Sequence, residues 1–127
     1  MTIDVTLEGL AVLIVEDNFF QADDARSILE KAGAAVVGPF ASAARAIEAM
    51  KRRAPDCAVI DVNLGSGNSF AVIATARALG IPFILTTGYD IKTLPVDLAQ
   101  APCLSKPLQA SAVVDAVFNA CDSRTGP

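Results

Sequence analysis

The stretch Cys57-Ala-Val-Ile-Asp61-Val-Asn63-Leu-Gly65 decides the fold class of this chain. Its first four residues suit a buried strand, because a continuous apolar run bounded by turn residues is typical of a parallel strand covered on both faces. Asp61 ends this run, directly before a loop over 63–68 that is rich in Gly, Ser and Asn. Ligands bind at the carboxyl ends of strands in open α/β sheets, so we predict that Asp61 is the reactive residue.

Composition limits the classes of protein to which this chain can belong. A length of 127 residues predicts one domain over 1–127, with a core over about 10–122. The net charge is −4 and the largest basic cluster is Lys51-Arg52-Arg53, which argues against nucleic acid or an anionic membrane as a partner. The early apolar run over 10–15 is too short to span a bilayer, and no signal peptide precedes it, so we expect a cytoplasmic protein.

The cysteine spacings and the absence of histidine limit the kinds of catalytic and metal site that the chain can form. The spacings of Cys57, Cys103 and Cys121 fit neither a CxxC motif nor a metal site, so we expect buried thiols in a reducing compartment. The sequence contains no histidine, which excludes Ser-His-Asp and Cys-His catalysis and any histidine-ligated zinc site. Carboxylate, hydroxyl and lysine chemistry therefore remains.

Apolar periodicity predicts strands and helices in strict alternation along the chain. The predicted strands are 10–15, 34–37, 57–61, 81–85 and 101–104, and the predicted helices are 18–31, 42–53, 69–79, 90–100 and 108–121. Asn18 and Ser42 suit helix N-caps, Gly33 and Gly80 suit helix ends, and Pro95 predicts that the helix over 90–100 is short or broken. Side chains predicted to face inward include Phe19, Leu79 and Phe118. Such alternation predicts an α/β fold with a parallel sheet and helices on both faces.

Polar side chains follow four of the predicted strands. Glu16 and Asp17 follow the first strand, Asp61 the third, Thr87 the fourth and Lys106 the fifth. These strand ends lie on one side of a doubly wound sheet. Two carboxylates about 4 Å apart repel by roughly 4 kcal/mol at an effective dielectric near 20, so either their pKa values rise or a cation lies among them. An all-oxygen, histidine-free site favours Mg²⁺.

A metal ion among acidic groups, faced by a lysine and a threonine hydroxyl, forms a site for an anion. Mg²⁺ and Lys106 can neutralise a phosphoryl group while Asp61 attacks its phosphorus as a nucleophile. The predicted product is an aspartyl phosphate.

This ordered set of residues resembles the response-regulator receiver domain of bacterial two-component signalling. The resemblance covers 10–121 and is carried by Val15-Glu16-Asp17, Asp61, Thr87-Gly88 and Lys106-Pro107. It implies a doubly wound, flavodoxin-like (CheY-like) sheet of five parallel strands in the order 2-1-3-4-5. It further implies that Asp61 accepts a phosphoryl group from a sensor histidine kinase or a phosphotransfer protein. Thr87 and Lys106 would each bind a phosphoryl oxygen. The implied ligands of Mg²⁺, direct or through water, are Glu16, Asp17, Asp61 and the carbonyl of Asn63.

Two features depart from the usual receiver pattern. Cys103 stands where receivers usually carry Tyr or Phe, three residues before the lysine, so the aromatic residue whose rotation reports phosphorylation is absent. The stretch from Pro82 to Tyr89 resembles the signature, close to Phe-Ala-Thr-Gly-x-Tyr, of stand-alone (FATGUY-type) receivers of alphaproteobacteria with HWE-type kinases. The match is partial, since Leu85 and Thr86 replace Phe-Ala.

We expect a regulatory phosphoacceptor rather than an enzyme. Because the chain ends soon after the fifth predicted helix, we expect the signal to leave through a downstream protein that binds the fourth helix, fifth strand and fifth helix, with 90–100 as the switching segment. One alternative is a phosphorylation-independent pseudo-receiver that serves as a scaffold. Another is a Mg²⁺-dependent phosphohydrolase, but haloacid-dehalogenase-type phosphatases need an acid at the position of Asn63 and an insertion that covers the substrate.

Overall fold

Strands and helices alternate over residues 11–87, as the apolar periodicity predicts. The computed structural model describes residues 6–64, 69–88 and 101–125, with side chains described as far as residue 122. The strands are β1 (Ala11–Val15), β2 (Ala35–Phe40), β3 (Cys57–Asp61), β4 (Phe83–Thr87) and β5 (Cys103–Ser105). The helices within these ranges are α1 (Phe19–Lys31), α2 (Ala43–Arg52), α3 (Ser69–Ala78) and α4 (Ala110–Thr125). The helix predicted over 90–100 lies outside the described residues, so α4 corresponds to the fifth predicted helix.

All five strands belong to one parallel sheet in the order β2-β1-β3-β4-β5, which confirms the predicted topology. The strand order reverses between β1 and β3, and in sheets of this type the crevice for ligands opens at such a point. Val15 pairs with Ile60 across these two strands. The next residue along each strand, Glu16 and Asp61, therefore reaches the same edge of the sheet.

Among the described residues, the hydrophobic core consists of two clusters, one on each face of the sheet. Every residue of β3 is buried, and its side chains alternate between the clusters. On one face the strands pack against α2 and α3, with a cluster that includes Leu13, Ala58, Ile60, Leu85, Ala46, Met50, Val72 and Ile73. On the other face they pack against α1 and α4, with a cluster that includes Val12, Ile14, Val59, Ile84, Leu29, Val113 and Val117. All three cysteines lie in described parts of the chain, and none is in a disulfide.

The predicted capping residues set the helix ends. The side chains of Asn18 and Ser42 accept hydrogen bonds from backbone amides in the first turns of α1 and α2, at 3.0 and 3.2 Å. Gly33 and Gly80 follow α1 and α3 with φ of +102° and +69°, a left-handed conformation that side chains with a Cβ rarely adopt. No helix in the described part of the chain is long and apolar enough to cross a bilayer.

Three large apolar side chains that periodicity places inward are partly or mostly exposed: Phe19 (76%), Leu79 (42%) and Phe118 (41%). Phe19 is the first residue of α1, at the rim of the sheet, and Leu79 lies beyond the last residue of α3. The buried row of α4 runs through Val113, Val117 and Cys121. Phe118 follows Val117 and is turned away by about 100° per residue.

The second strand is longer than the sequence predicts. Gly38-Pro39 suits a strand end, but β2 continues through both residues to Phe40. Because β2 is at the edge of the sheet, Pro39 can occupy it without breaking a central ladder. None of the six residues of β2, all of which are described, is buried.

The difference in burial between Ile73 and Leu79 gives a test of how α3 packs against the sheet. Ile73 is 2% exposed and belongs to the core, so we expect Ile73→Ala to lower the free energy of unfolding by about 2–5 kcal/mol. Leu79→Ala, the matched exposed control, is expected to change it by less than about 1 kcal/mol. Urea unfolding followed by circular dichroism measures both values. Equal losses would contradict the packing of α3 described here.

Candidate functional site

The carboxyl ends of β1, β3, β4 and β5 bring polar side chains to one rim of the sheet. Asp61 pairs with Thr86, and Thr87 pairs with Ser105, in the parallel register of the central strands. The backbone amide of Lys106 donates to the carbonyl of Thr87 at 2.8 Å, which continues the β4–β5 pairing by one residue. Sheet register thus places the predicted site residues near one another.

Three carboxylates gather at this rim. Glu16, Asp17 and Asp61 each contribute an oxygen, and the three oxygens lie within 4.8 Å of one another. Glu16 and Asp61 are buried, with 6% and 2% of their surface exposed, whereas Asp17 is exposed. One exposed and two buried carboxylates thus form a cluster of oxygen ligands that suits a hard cation.

Lys106 forms an ionic bridge between the two buried carboxylates. Its Nζ donates to Glu16 Oε1 at 2.6 Å and lies 3.2 Å from Asp61 Oδ2. It also donates to Gln21 Oε1 at 2.5 Å. The ammonium group therefore reduces the repulsion between two negative charges that burial deprives of water.

Glu16 responds to this environment with a raised pKa. Burial is the main cause, because it disfavours the charged carboxylate, and the neighbouring Asp61 adds to the effect. The hydrogen bonds from Lys106 and from the backbone amide of Asn18 act in the opposite direction. A further cation beside Glu16 would lower this pKa and favour ionisation.

Hydrogen bonds orient the Asp61 side chain and backbone. Its Oδ1 accepts from the backbone amide of Asn63 at 2.9 Å, an Asx turn that fixes the carboxylate at the start of the loop. Its carbonyl accepts from Ser69 Oγ at 2.8 Å, and Ser69 Oγ in turn accepts from the amide of Leu64 at 3.4 Å. The buried hydroxyl of Ser69 thus ties both ends of this turn to the start of α3.

Thr87 is connected to the same loop. Its buried Oγ1 donates to Asn63 Oδ1 at 2.8 Å. Asn63 therefore contacts both Asp61, through its backbone amide, and Thr87, through its side chain. Cys103 is the first residue of β5 and is half-buried against the core. It occupies the position at which receivers usually carry an aromatic residue.

Two residues of this network are not predicted from the sequence. Gln21 contacts Lys106 across 85 positions of the chain, and no local pattern signals a contact of that kind. Ser69 stands at the start of α3, where a serine usually indicates only a helix cap. Its bond to the Asp61 carbonyl depends on the path of the preceding loop.

A family model for the response regulator receiver domain matches the chain over residues 12–118. The chain belongs to this family. The match confirms the resemblance carried by the acidic residues, the threonine and the lysine, and it extends from Val12, the second residue of β1, through β5. Receiver domains are regulatory modules of two-component systems.

Solved receiver structures share this fold. The signal receiver domain of a modulated diguanylate cyclase from Desulfovibrio desulfuricans G20 is 27% identical, with a TM-score of 0.78 over 91% of this chain and 95% of that chain. A response regulator receiver protein from Sinorhizobium medicae WSM419 is 25% identical, with a TM-score of 0.76 over 94% of this chain and 99% of that chain. The PhyR stress response regulator is 26% identical, with a TM-score of 0.80, and the match covers 98% of this chain and 49% of that chain. A search of curated proteins found no match.

The role of Ser69 can be tested by removing its hydroxyl. Ser69→Ala leaves the buried Asp61 carbonyl without this donor, so we expect the free energy of unfolding to fall by about 1–3 kcal/mol. The control is Ser111→Ala, at an exposed position of α4, which is expected to change it by no more than about 0.5 kcal/mol. Urea unfolding of the three proteins measures the difference, and an unchanged Ser69→Ala midpoint would contradict the assignment.

Proposed function

We propose that this receiver domain accepts a phosphoryl group on Asp61, from a sensor histidine kinase or a phosphotransfer protein, in a Mg²⁺-dependent reaction. The observation that carries the proposal is the position of the Asp61 carboxylate. It is held by the Asn63 amide on one oxygen and lies 3.2 Å from the Lys106 ammonium on the other. A nucleophile needs this kind of fixed orientation and adjacent positive charge to attack an anionic phosphorus centre.

The acidic cluster supports the metal requirement. Glu16, Asp17 and Asp61 offer three carboxylate oxygens close enough to share one ion, and oxygen ligands of this kind suit Mg²⁺. Asn63 follows Asp61 by two residues, and we assign its carbonyl as a further ligand. Bound Mg²⁺ supplies positive charge that offsets the charge of the phosphoryl oxygens.

In the proposed phosphoryl transfer, one carboxylate oxygen of Asp61 forms a bond to phosphorus while the bond from phosphorus to the donor breaks, which gives an acyl phosphate. Lys106 binds one phosphoryl oxygen through its ammonium group. Thr87 turns its hydroxyl from Asn63 to a second phosphoryl oxygen. The modification adds about −1.5 to −2 charges at the rim, and this charge attracts both groups.

The proposal extends to the output of the signal. We assign 1–127 to a single receiver domain in the cytoplasm that acts through protein contacts, as in the stand-alone receivers with HWE-type kinases. A downstream protein would bind the face formed by β5 and α4; the segment 90–100, which the sequence predicts to take part in this contact, lies outside the described residues. Lys106 directly follows β5, so a change at this lysine has a short route to that face.

The phosphohydrolase alternative receives less support from the geometry. Such enzymes need a second acid at the position of Asn63, and here an amide occupies it and accepts a hydrogen bond from Thr87. Turnover of a small phosphate ester by the isolated protein would favour this alternative over the receiver reaction.

Phosphorylation of Asp61 is tested by intact-protein mass spectrometry. With Mg²⁺ and acetyl phosphate, we expect the wild-type protein to gain about 80 Da, and Asp61→Asn to gain nothing because its amide is not a nucleophile. Asp115→Asn, at an exposed position of α4, serves as the matched control and is expected to be labelled like wild type.

Two outcomes of this experiment would contradict the proposal. Labelling that persists in Asp61→Asn would place the phosphoryl group elsewhere. A wild-type protein that stays unlabelled, under conditions that label a known receiver, would favour the pseudo-receiver alternative.

Metal binding is tested through stability. An ion that binds only the folded protein raises the free energy of unfolding by about 2.7 kcal/mol at a concentration of 100 times its Kd. We expect excess MgCl2, compared with EDTA, to raise the urea midpoint of wild type and of Asp115→Asn. Asp17→Asn removes an exposed carboxylate of the cluster, so we expect it to lose at least about half of this increase. An equal increase in all three proteins would exclude Asp17 as a ligand.

A further inference from the structure

A groove of about 730 Å³ runs along the edge strand β2, between this strand and α2. It is lined at one end by Ala11 and Ala35, which begin β1 and β2, and at the other by Phe40, which ends β2. The groove thus follows the whole strand. It lies at the opposite edge of the sheet from β5, which belongs to the proposed output face.

One stripe of α2 forms the wall of this groove. The residues of this stripe are spaced at i, i+3, i+4 and i+7 along the helix, and they are Arg45, Glu48, Ala49 and Arg52. Arg53, which follows the helix in an extended conformation, also lines the groove. The stripe that packs on the sheet is a different one and consists of Ala43, Ala46 and Met50. The helix therefore presents a second face, rich in arginine, to the groove.

The floor of the groove is apolar. It includes Val37 and Phe40 of β2, together with Ala49 of α2 and Pro55 before β3. The two β2 side chains are only half-buried, since no further strand follows β2 in the sheet. Apolar surface of this kind, bordered by charged groups, is typical of a binding groove.

The charged side chains that border the groove are mainly positive, although the whole chain carries a net charge of −4. Arg52 pairs with Glu48 at 2.8 Å, but both side chains are more than two-thirds exposed, so this bridge contributes little. Among the described residues, neither Arg45 nor Arg53 has an ion-pair partner for its side chain. The border of the groove is therefore complementary to an anionic ligand.

The spacing of the arginines indicates what kind of anion fits. Seven helical positions separate Arg45 from Arg52, a rise of about 10 Å along α2. A single phosphate group would occupy only part of a groove that follows the whole of β2 and would leave its apolar floor uncovered. Side chains four residues apart lie on the same side of an extended chain, about 13 Å apart, so carboxylates at this spacing reach both ends of the row through the flexible arginine side chains.

We propose that this groove binds an extended acidic segment of a partner protein. Two carboxylates of the segment, four residues apart, pair with Arg45 at one end and with Arg52 and Arg53 at the other. The apolar side chain midway between them lies on the same side of the segment and packs on Val37 and Phe40. This contact surface is separate from the acidic rim and does not depend on phosphorylation of Asp61.

Selection from a random dodecapeptide library displayed on phage tests the proposal with the full chain as bait. We expect enriched peptides to carry two acidic residues four positions apart, with an apolar residue midway between them. The best peptide, synthesised with a fluorescein label, is then titrated by fluorescence anisotropy. Arg45→Glu/Arg53→Glu is expected to weaken its binding by at least about tenfold, equivalent to 1.4 kcal/mol.

The matched control is Lys31→Glu/Lys51→Glu, which changes the net charge equally at exposed positions outside the groove. We expect this control to bind the peptide with nearly wild-type affinity. Equal urea midpoints for the two double variants would confirm that both are folded. All four positions are exposed, so the fold does not depend on them.

Several results would overturn the proposal. One is enrichment of peptides that lack acidic residues, or no enrichment at all. Another is equal loss of binding in both double variants, which would indicate general charge attraction. Displacement of the peptide by MgATP at lower concentration than by unlabelled peptide would identify a nucleotide site instead. A dimer in analytical ultracentrifugation that Arg45→Glu/Arg53→Glu dissociates would identify a second copy of the chain as the occupant.

Discussion

The ammonium group of Lys106, held between Glu16 and Asp61, is the interaction on which the rest of the site depends. Two carboxylates about 4 Å apart repel by roughly 4 kcal/mol at an effective dielectric of 20, and burial makes their charges more costly still. Lys106 lies 2.6 and 3.2 Å from them and offsets this repulsion. It is 90 positions from Glu16, and the neighbouring strands β1, β3, β4 and β5 of the parallel sheet bring the three groups together. The geometry of the site therefore depends on the fold of the whole sheet.

The central strand shows why so short a stretch decides the architecture. Every residue from Cys57 to Asp61 is buried, and apolar side chains on both faces need a covering layer on each side. The two core clusters are these layers, with α2 and α3 on one face and α1 and α4 on the other. Asp61 is the exception within this strand. Its polar group is stable there because the sheet ends at that point and supplies the Asn63 amide and Lys106 as partners.

The alternation of strands and helices, the strand order and the caps at Asn18 and Ser42 could be predicted, because apolar period and capping chemistry are local in the sequence. Family membership followed from the ordered polar residues at the strand ends. The exposure of Phe19 could not be predicted, since it depends on where α1 begins relative to the sheet rim. The contacts of Gln21 with Lys106, and of Ser69 with the turn after β3, depend on how far side chains reach between elements, which periodicity does not encode. The chemical roles of the site residues remain predictions.

The hydrogen bond between Thr87 and Asn63 has a consequence for how readily the domain can change state. A hydroxyl has one proton to donate, and in this structure Asn63 Oδ1 accepts it. When Thr87 turns to a new anionic acceptor, one hydrogen bond is exchanged for another, so the number of bonds is conserved. In the proposed phosphoryl transfer, the contribution of Thr87 to the new state would then come from the greater strength of a charge-assisted bond, roughly twice that of a neutral one. Under the proposed function, the residue at position 63 would thereby set how firmly Thr87 is held in its resting orientation, and a weaker acceptor there would hold it less firmly.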